Sequence, residues 1–81
     1  MITADQIRMA RAALKWGVRE LAARAGLTPN TISRVENGAE SMAGTLQKIE
    51  ETLKNAGVEF IAENGGGPGV RLAKRKRKVA R

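Results

Sequence analysis

Apolar residues in the first half of the chain recur at intervals of three and four positions, stop, and begin again. The first series is Val18, Leu21, Ala22 and Ala25, and the second is Ile32 and Val35. This spacing predicts one face of a helix over about 18–25 and one face of another over about 29–36. Gly26 lies at the break, where a helix end favours a left-handed residue. Thr28 and Pro29 suit an N-cap and a first helical residue, so a short turn joins the two helices.

A first helix is predicted before this pair. Thr3 and Gln6 have the spacing of a capping box, and the helix that they begin runs to about residue 15. Its apolar face carries Ile7, Ala10 and Leu14. Arg11 falls on the same face, and a buried guanidinium without a partner is costly. Glu36, at the end of the third helix, is the predicted partner, and the alternative is that Arg11 extends along its stem to water.

A fourth helix begins near Met42, with Ser41 as its expected cap, and ends at Gly57. Its apolar series is Met42, Leu46, Ile49, Leu53 and Ala56. We interpret this series as core. The four predicted helices form one helical domain, residues 1–57, in a mainly α fold.

After Gly57 the apolar period changes from that of a helix to that of a strand. One face of the predicted strand carries Val58, Phe60 and Ala62. The Gly-rich segment 64–69 predicts a turn, and 70–72 a short return strand. The resulting β-hairpin, residues 58–73, is marginal alone, so it must pack on the helices or pair with a second copy. We expect it to be a dimerisation element, although Ile61, on its polar face, would also fit simple exposure. The expected homodimer contacts are Val58, Phe60 and Ile61.

Composition limits the functions that the chain can perform. It contains no cysteine and no histidine, so it lacks the commonest metal ligands and the commonest general base. Carboxylates do not cluster, and no glycine-rich loop precedes a helix. We therefore expect no enzyme activity, no metal and no cofactor. No apolar run approaches the roughly 20 residues that cross a bilayer, and no signal-peptide pattern is present, which predicts a cytoplasmic protein with no membrane partner.

The net charge of +7 is unevenly distributed along the chain. Residues 1–34 hold six basic and two acidic side chains, a balance of +4, whereas residues 35–63 hold two basic and six acidic ones, a balance of −4. Such polarity would orient the protein on a polyanion. Residues 74–81 add six positive charges in a low-complexity tail that we expect to be disordered alone. The tail would contribute nonspecific phosphate contacts, or would only improve solubility.

Two short helices joined by three residues are typical of a helix-turn-helix unit, which places its second helix in the DNA major groove. A joint pattern of spacing and small residues is formed by Arg11, Leu21, Ala22, Gly26, Leu27, Thr28 and the run 31–38. Through these residues, and with helices on either side, the segment of about residues 3–56 resembles the Cro/C1-type (XRE family) helix-turn-helix of phage repressors and small bacterial regulators. The resemblance implies a lambda-repressor-like cluster of four helices, to which the hairpin is an addition. It also implies an ion pair between Arg11 and Glu36.

The resemblance and the side-chain chemistry together indicate which residues would contact DNA. The expected base contacts are Thr28, Asn30, Thr31 and Arg34. Arginine bonds guanine through a bidentate fork, asparagine bonds adenine, and threonine offers a hydroxyl and a methyl group. Pro29 stands where the family often has a polar residue, so its base preference stays open. Thr28 would alternatively serve only as a helix cap.

Phosphate contacts are expected on both sides of the recognition helix. The N-terminus of the second helix offers free N–H groups and a partial positive charge. The expected phosphate contacts are Gly17, Val18, Arg19, Ser33, Asn37, Gly38 and Ser41. For Asn37 and Ser41 the alternative is a role limited to ending or capping a helix.

Three functions follow from these features. The first is a sequence-specific transcriptional regulator that binds double-stranded DNA as a homodimer on a palindromic operator, with helix 29–36 in the major groove. The second is an antitoxin or other interaction module that binds a partner protein through the hairpin and the acidic surface, whose glutamates lie within residues 35–63. The third is an RNA- or nucleoid-binding protein that relies on the tail. RNA recognition usually relies on aromatic stacking. The only aromatic residues, Trp16 and Phe60, are predicted to be core, which disfavours the RNA- or nucleoid-binding function.

Overall fold

A computed structural model describes residues 2–73, and the expectations for the tail at 74–81 lie outside that range. The chain forms four helices followed by a two-stranded antiparallel sheet. In chain order the elements are α1 (Ala4–Leu14), α2 (Val18–Ala25), α3 (Pro29–Glu36), α4 (Ala43–Asn55), β1 (Val58–Ile61) and β2 (Gly69–Leu72). This architecture confirms the predicted mainly α fold with a small hairpin. None of the helices within residues 2–73 has the length and apolar character required to cross a membrane.

One end of each of the first three helices follows a local sequence signal. The Thr3 hydroxyl accepts the Gln6 N–H at 3.1 Å and the Gln6 side chain accepts the Thr3 N–H at 2.9 Å, which completes the predicted capping box. Helix α2 ends at Gly26, whose φ of 71° is the left-handed conformation expected there. Thr28 caps α3 by accepting the Thr31 N–H at 3.2 Å, and a proline begins the helix.

The core lies between the four helices. Its largest fully buried side chains are Ile7, Leu21, Ile32, Ile49 and Leu53. Ala22 is also fully buried, as expected for a small residue where α2 and α3 pack together. Leu46, Trp16 and Phe60 are partly buried against this cluster. The apolar periodicity of the sequence therefore identified most of the core correctly.

The start of α4 differs from the prediction. Met42 rather than Ser41 is the N-cap, and no side chain caps the helix. Met42 has an extended backbone conformation, with φ −69° and ψ 149°, so it lies outside the helical register. Its side chain is consequently 74% exposed and does not belong to the core series. The prediction was wrong because an apolar residue just before a helix continues the sequence period without sharing the helix geometry.

The hairpin packs on the helices through one face. Val58 is only 3% exposed and belongs to the core, and Phe60 packs against that core. Strand β1 ends at Ile61, so Ala62 is exposed rather than on the inner face as predicted. Directly opposed residues pair Phe60 with Val70 and Ile61 with Gly69. Strand β1 contacts α4 and β2 contacts α1, which fixes the hairpin against these two helices.

A side-chain amide ties the hairpin to α1. Gln6 is 3% exposed, and its Nε2 donates to the carbonyl oxygen of Ile61 at 3.0 Å and to that of Gly69 at 2.9 Å. Because its Oε1 also accepts the Thr3 N–H, one buried amide satisfies three backbone groups. The sequence predicted the cap but not the bonds to the two strands.

Candidate nucleic-acid interface

The outer face of α3 presents the polar side chains that the sequence indicated. Ile32 and Val35 are buried against the other helices, which orients the opposite face outward. On that face Asn30 and Arg34 are exposed, and Thr31 is half-buried. Neither Asn30 nor Arg34 forms a side-chain hydrogen bond to any other residue of the described segment 2–73. Their donors and acceptors are therefore free for a ligand.

The two threonines at the start of α3 form a local pair. The hydroxyl oxygens of Thr28 and Thr31 lie 2.9 Å apart, and Thr28 Oγ1 also accepts the Thr31 N–H. Either hydroxyl can be the donor in the bond between them, so the pair keeps one hydroxyl proton for another partner. Both side chains lie at the helix N-terminus, beside its partial positive charge.

The N-terminus of α2 provides unsatisfied N–H groups. Gly17 is its N-cap, and no side chain bonds the first turn. The first intrahelical bond runs from the Leu21 N–H to the Gly17 carbonyl, so the preceding N–H groups, including those of Val18 and Arg19, lack a helical acceptor. Arg19 is exposed beside them. This arrangement can bind an anion such as a DNA phosphate.

The last turn of α3 and the segment after it carry the remaining predicted phosphate contacts. Asn37 is the C-cap and is exposed, and Gly38 adopts a φ of 89°. Ser33 and Ser41 are half-buried. Glu40 is exposed in the same segment, and its negative charge would repel a nearby phosphate.

Ion pairing leaves two arginines of the described residues without a carboxylate partner. Residues 2–73 contain six arginines, of which four pair with a carboxylate. The four pairs are Arg8–Asp5, Arg11–Glu36, Arg24–Glu20 and Arg71–Glu59. Within the same residues no carboxylate pairs with Arg19 or Arg34. The two arginines that keep an uncompensated charge are thus those on the predicted DNA-contacting elements.

A bidentate ion pair holds the end of α3 against α1. Arg11 Nε lies 2.7 Å from Glu36 Oε2, and Arg11 Nη2 lies 2.8 Å from Glu36 Oε1. Arg11 Nη1 also donates to the Trp16 carbonyl at 3.2 Å. The hydrogen bond to Glu36 raises the pKa of Arg11 above its ordinary value, against the opposing effect of burial. The pair therefore positions α3 and is not available to a ligand.

Arg8 makes a contact that the sequence did not predict. Its guanidinium donates to the Glu36 carbonyl oxygen and lies 3.0 Å from Asp5. A cation at this position interacts favourably with the C-terminal end of α3. The sequence does contain a hint of this contact. Arg8 lies one helical turn before Arg11, so both side chains can reach the same end of the neighbouring helix.

The described residues hold no cluster of three or more His, Cys, Asp or Glu side chains that could bind a metal ion.

A family model described as Helix-turn-helix, HTH_3, matches residues 7–60, which is two thirds of the chain. The match covers α1 from Ile7 onward, the other three helices and most of β1. No curated protein matches the chain.

Proposed function

The chain belongs to the Cro/C1-type (XRE) family of DNA-binding helix-turn-helix regulators, and from this premise we propose that it recognises a specific operator sequence as a homodimer. Helix α3 inserts into the major groove, and two copies contact half-sites about one DNA turn apart. A symmetric dimer matches a palindromic or near-palindromic operator.

The observation that carries this proposal is the distribution of unpaired arginines. Elsewhere in residues 2–73, arginines are neutralised by their own carboxylates, but Arg19 and Arg34 are not. Arg34 lies on the exposed face of α3, and Arg19 lies at the N-terminus of α2. A duplex bound to this side would meet a base-reading cation and a phosphate-binding one together.

Phosphate contacts position the recognition helix on either side. The free N–H groups at Gly17, Val18 and Arg19 bind one phosphate, and Ser33, Asn37, Gly38 and Ser41 bind the backbone across the groove. Binding is therefore salt-dependent, with a slope set by the number of phosphates neutralised. The negative charge of Glu40 repels backbone phosphates and so lowers the affinity for every DNA sequence alike.

The hairpin is the proposed dimer contact. Val58 is buried in the protomer core and Phe60 packs against it. Strand β1 therefore contributes mainly its backbone edge and the partly exposed Ile61 side chain to the dimer contact. Ile61 lies on the outer face of the sheet, the same face as the Glu59–Arg71 ion pair. An apolar side chain beside a complementary ion pair suits a self-complementary contact between two copies.

The second function, a module that binds a partner protein through its acidic surface, receives less support. Two of the glutamates of that surface are neutralised by neighbours, with Glu50 3.1 Å from Lys54 and Glu59 2.7 Å from Arg71. The remaining negative charge is correspondingly reduced. We therefore retain operator binding as the proposed function.

Selection of binding sites from random double-stranded DNA tests the proposal. We expect enrichment of a sequence with two inverted half-sites, and a stoichiometry of two chains per site.

A second experiment tests the hairpin contact. Ile61→Glu should shift the protein toward monomer in sedimentation and weaken binding to the complete site far more than to one half-site. Ala62→Glu, an exposed substitution one residue away, is the matched control. Enrichment of no sequence refutes operator binding, and an unchanged oligomeric state in Ile61→Glu refutes the hairpin contact.

A further inference from the structure

The outer edge of strand β2 carries backbone groups that point away from the hairpin. The Ala73 N–H donates to the Gly57 carbonyl oxygen, and in an antiparallel pair every second pair of opposed residues exchanges such bonds. The N–H and C=O groups of Val70 and Leu72 therefore point outward, away from β1. Within residues 2–73, no backbone group of another element bonds them.

Leu72 is an apolar side chain that the protomer leaves uncovered. It lies opposite Val58, on the same face of the sheet as Phe60 and Val70. Those three side chains belong to the core or pack against it, but Leu72 is 52% exposed. An open strand edge beside an exposed apolar side chain is an arrangement that binds a further β-strand.

Strand β2 of a second copy fits this edge. If two β2 strands pair antiparallel with Arg71 opposite Arg71, the outward groups of Val70 in one copy meet those of Leu72 in the other. Backbone hydrogen bonds then form on both sides of the centre. On the inner face, the same register places the exposed Leu72 side chain beside Val70 of the other copy. One register thus satisfies both the backbone edge and the uncovered side chain.

The positive charges of β2 are compatible with this pairing. The two central arginines would lie opposite each other, but Arg71 Nε is 2.7 Å from Glu59 Oε1, so each copy supplies a counter-charge. This ion pair lies on the outer face of the sheet, away from the apolar contact of Leu72 with Val70. Past Ala73 the two chains continue in opposite directions, so the six positive charges of each tail start at opposite ends of the joined sheet.

We propose that β2 pairs with β2 of a second copy across a two-fold axis at Arg71, which joins two hairpins into one four-stranded antiparallel sheet. This contact is separate from the one proposed above through β1 and Ile61, which lie on the other strand and leave the β2 edge open. Resting on the proposed function, the two contacts together join two DNA-binding dimers into a tetramer, which can hold two operators.

Disulfide formation tests the register, because the chain has no cysteine of its own. Opposed residues of a non-bonded antiparallel pair have Cα atoms about 4.5 Å apart, within the range of a disulfide. In the full-length chain, Arg71→Cys should therefore form a covalent dimer with oxidised glutathione, detected on a non-reducing gel. Glu59→Cys is the matched control, since it breaks the same ion pair and places a thiol on the same face, but one strand away from the axis. It should form little covalent dimer.

Sedimentation over a series of protein concentrations tests the contact without a crosslink. Leu72→Lys keeps the backbone of the hairpin, and it should raise the Kd of the β2 contact about 10-fold or more because a charge replaces the apolar contact. Met42→Lys is the same change at an exposed apolar residue outside the hairpin, and it should leave association unchanged.

The outcomes separate this contact from the proposed function. Covalent dimer formation by Arg71→Cys no greater than by Glu59→Cys, or equal association of Leu72→Lys and the wild type, overturns the β2 pairing. Association that Leu72→Lys weakens and Ile61→Glu does not supports the β2 pairing and refutes the contact through Ile61. Selection of no operator sequence refutes the proposed DNA recognition, whereas the β2 pairing is decided by the Arg71→Cys crosslink alone.

Discussion

Removing the charge of Glu36 should destabilise the fold strongly. In Glu36→Gln the shape is nearly kept, but the Arg11 guanidinium loses an anion that lies 2.7 Å from its Nε and 2.8 Å from its Nη2. The Glu36 side chain is only 7% exposed and that of Arg11 only 22% exposed, so water replaces the lost partner poorly. Removing one member of a buried pair costs about 3–5 kcal/mol.

The lower end of that range applies here. Arg11 keeps its bond to the Trp16 carbonyl, and the glutamine oxygen can still accept one hydrogen bond. We therefore expect a loss of about 3 kcal/mol in the free energy of unfolding. For a domain of this size, each 1 kcal/mol lowers Tm by roughly 4–8 °C, so Tm should fall by roughly 12–24 °C.

Urea denaturation followed by circular dichroism and by the fluorescence of the single tryptophan measures this loss. The matched control is Glu40→Gln, because Glu40 is exposed and has no ion pair within residues 2–73; its effect should stay below about 0.5 kcal/mol. A further variant with Arg11→Leu and Glu36→Leu together should lose less than Glu36→Gln alone, since no buried charge remains unpaired. Equal losses in Glu36→Gln and Glu40→Gln would refute the reasoning.

Two further predictions concern the hairpin anchor and the tail. Gln6→Ala should lower the free energy of unfolding by about 1–3 kcal/mol, because the carbonyls of Ile61 and Gly69 lose a donor, whereas the exposed Gln47→Ala should change it by less than about 0.5 kcal/mol in the same urea titration. Deletion of residues 74–81 removes six positive charges and should flatten the dependence of log K on log salt by about 0.9 for each phosphate that the tail neutralises. A Gln6→Ala loss equal to that of Gln47→Ala, or an unchanged salt slope after deletion, would contradict the respective prediction.

Features set by local signals were predictable from the sequence. The turn between α2 and α3 follows from Gly26, Thr28 and Pro29, each of which prefers the conformation that it adopts. The outward face of α3 follows from the period of the buried residues, so the sequence alone places Asn30 and Arg34 on it. The start of α4 was not predictable in this way, because Met42 fits the apolar period but lies one residue before the helix.

Hydrogen bonds and ion pairs between residues far apart in the sequence were harder to predict from it. The pairing of Arg11 with Glu36 could be anticipated because a charge on an apolar face needs a partner. Nothing local indicates that the Gln6 amide reaches residues 55 and 63 positions further along the chain. The pairing of Arg71 with Glu59 likewise depends on the strand register, which places the two residues opposite each other. Which arginines remain free for DNA is therefore a property of the folded chain.

The Gln6 amide also bears on the order in which the protein folds and opens. Its bonds to Ile61 and Gly69 close very long loops, and contacts of large sequence separation form late. The five largest fully buried side chains all belong to the helices, so the helical cluster can form before the hairpin docks. We therefore expect the hairpin amides to exchange with solvent through a local opening of lower free energy than global unfolding. If the hairpin joins two protomers, warming would loosen the dimer before it melts the helix that reads DNA.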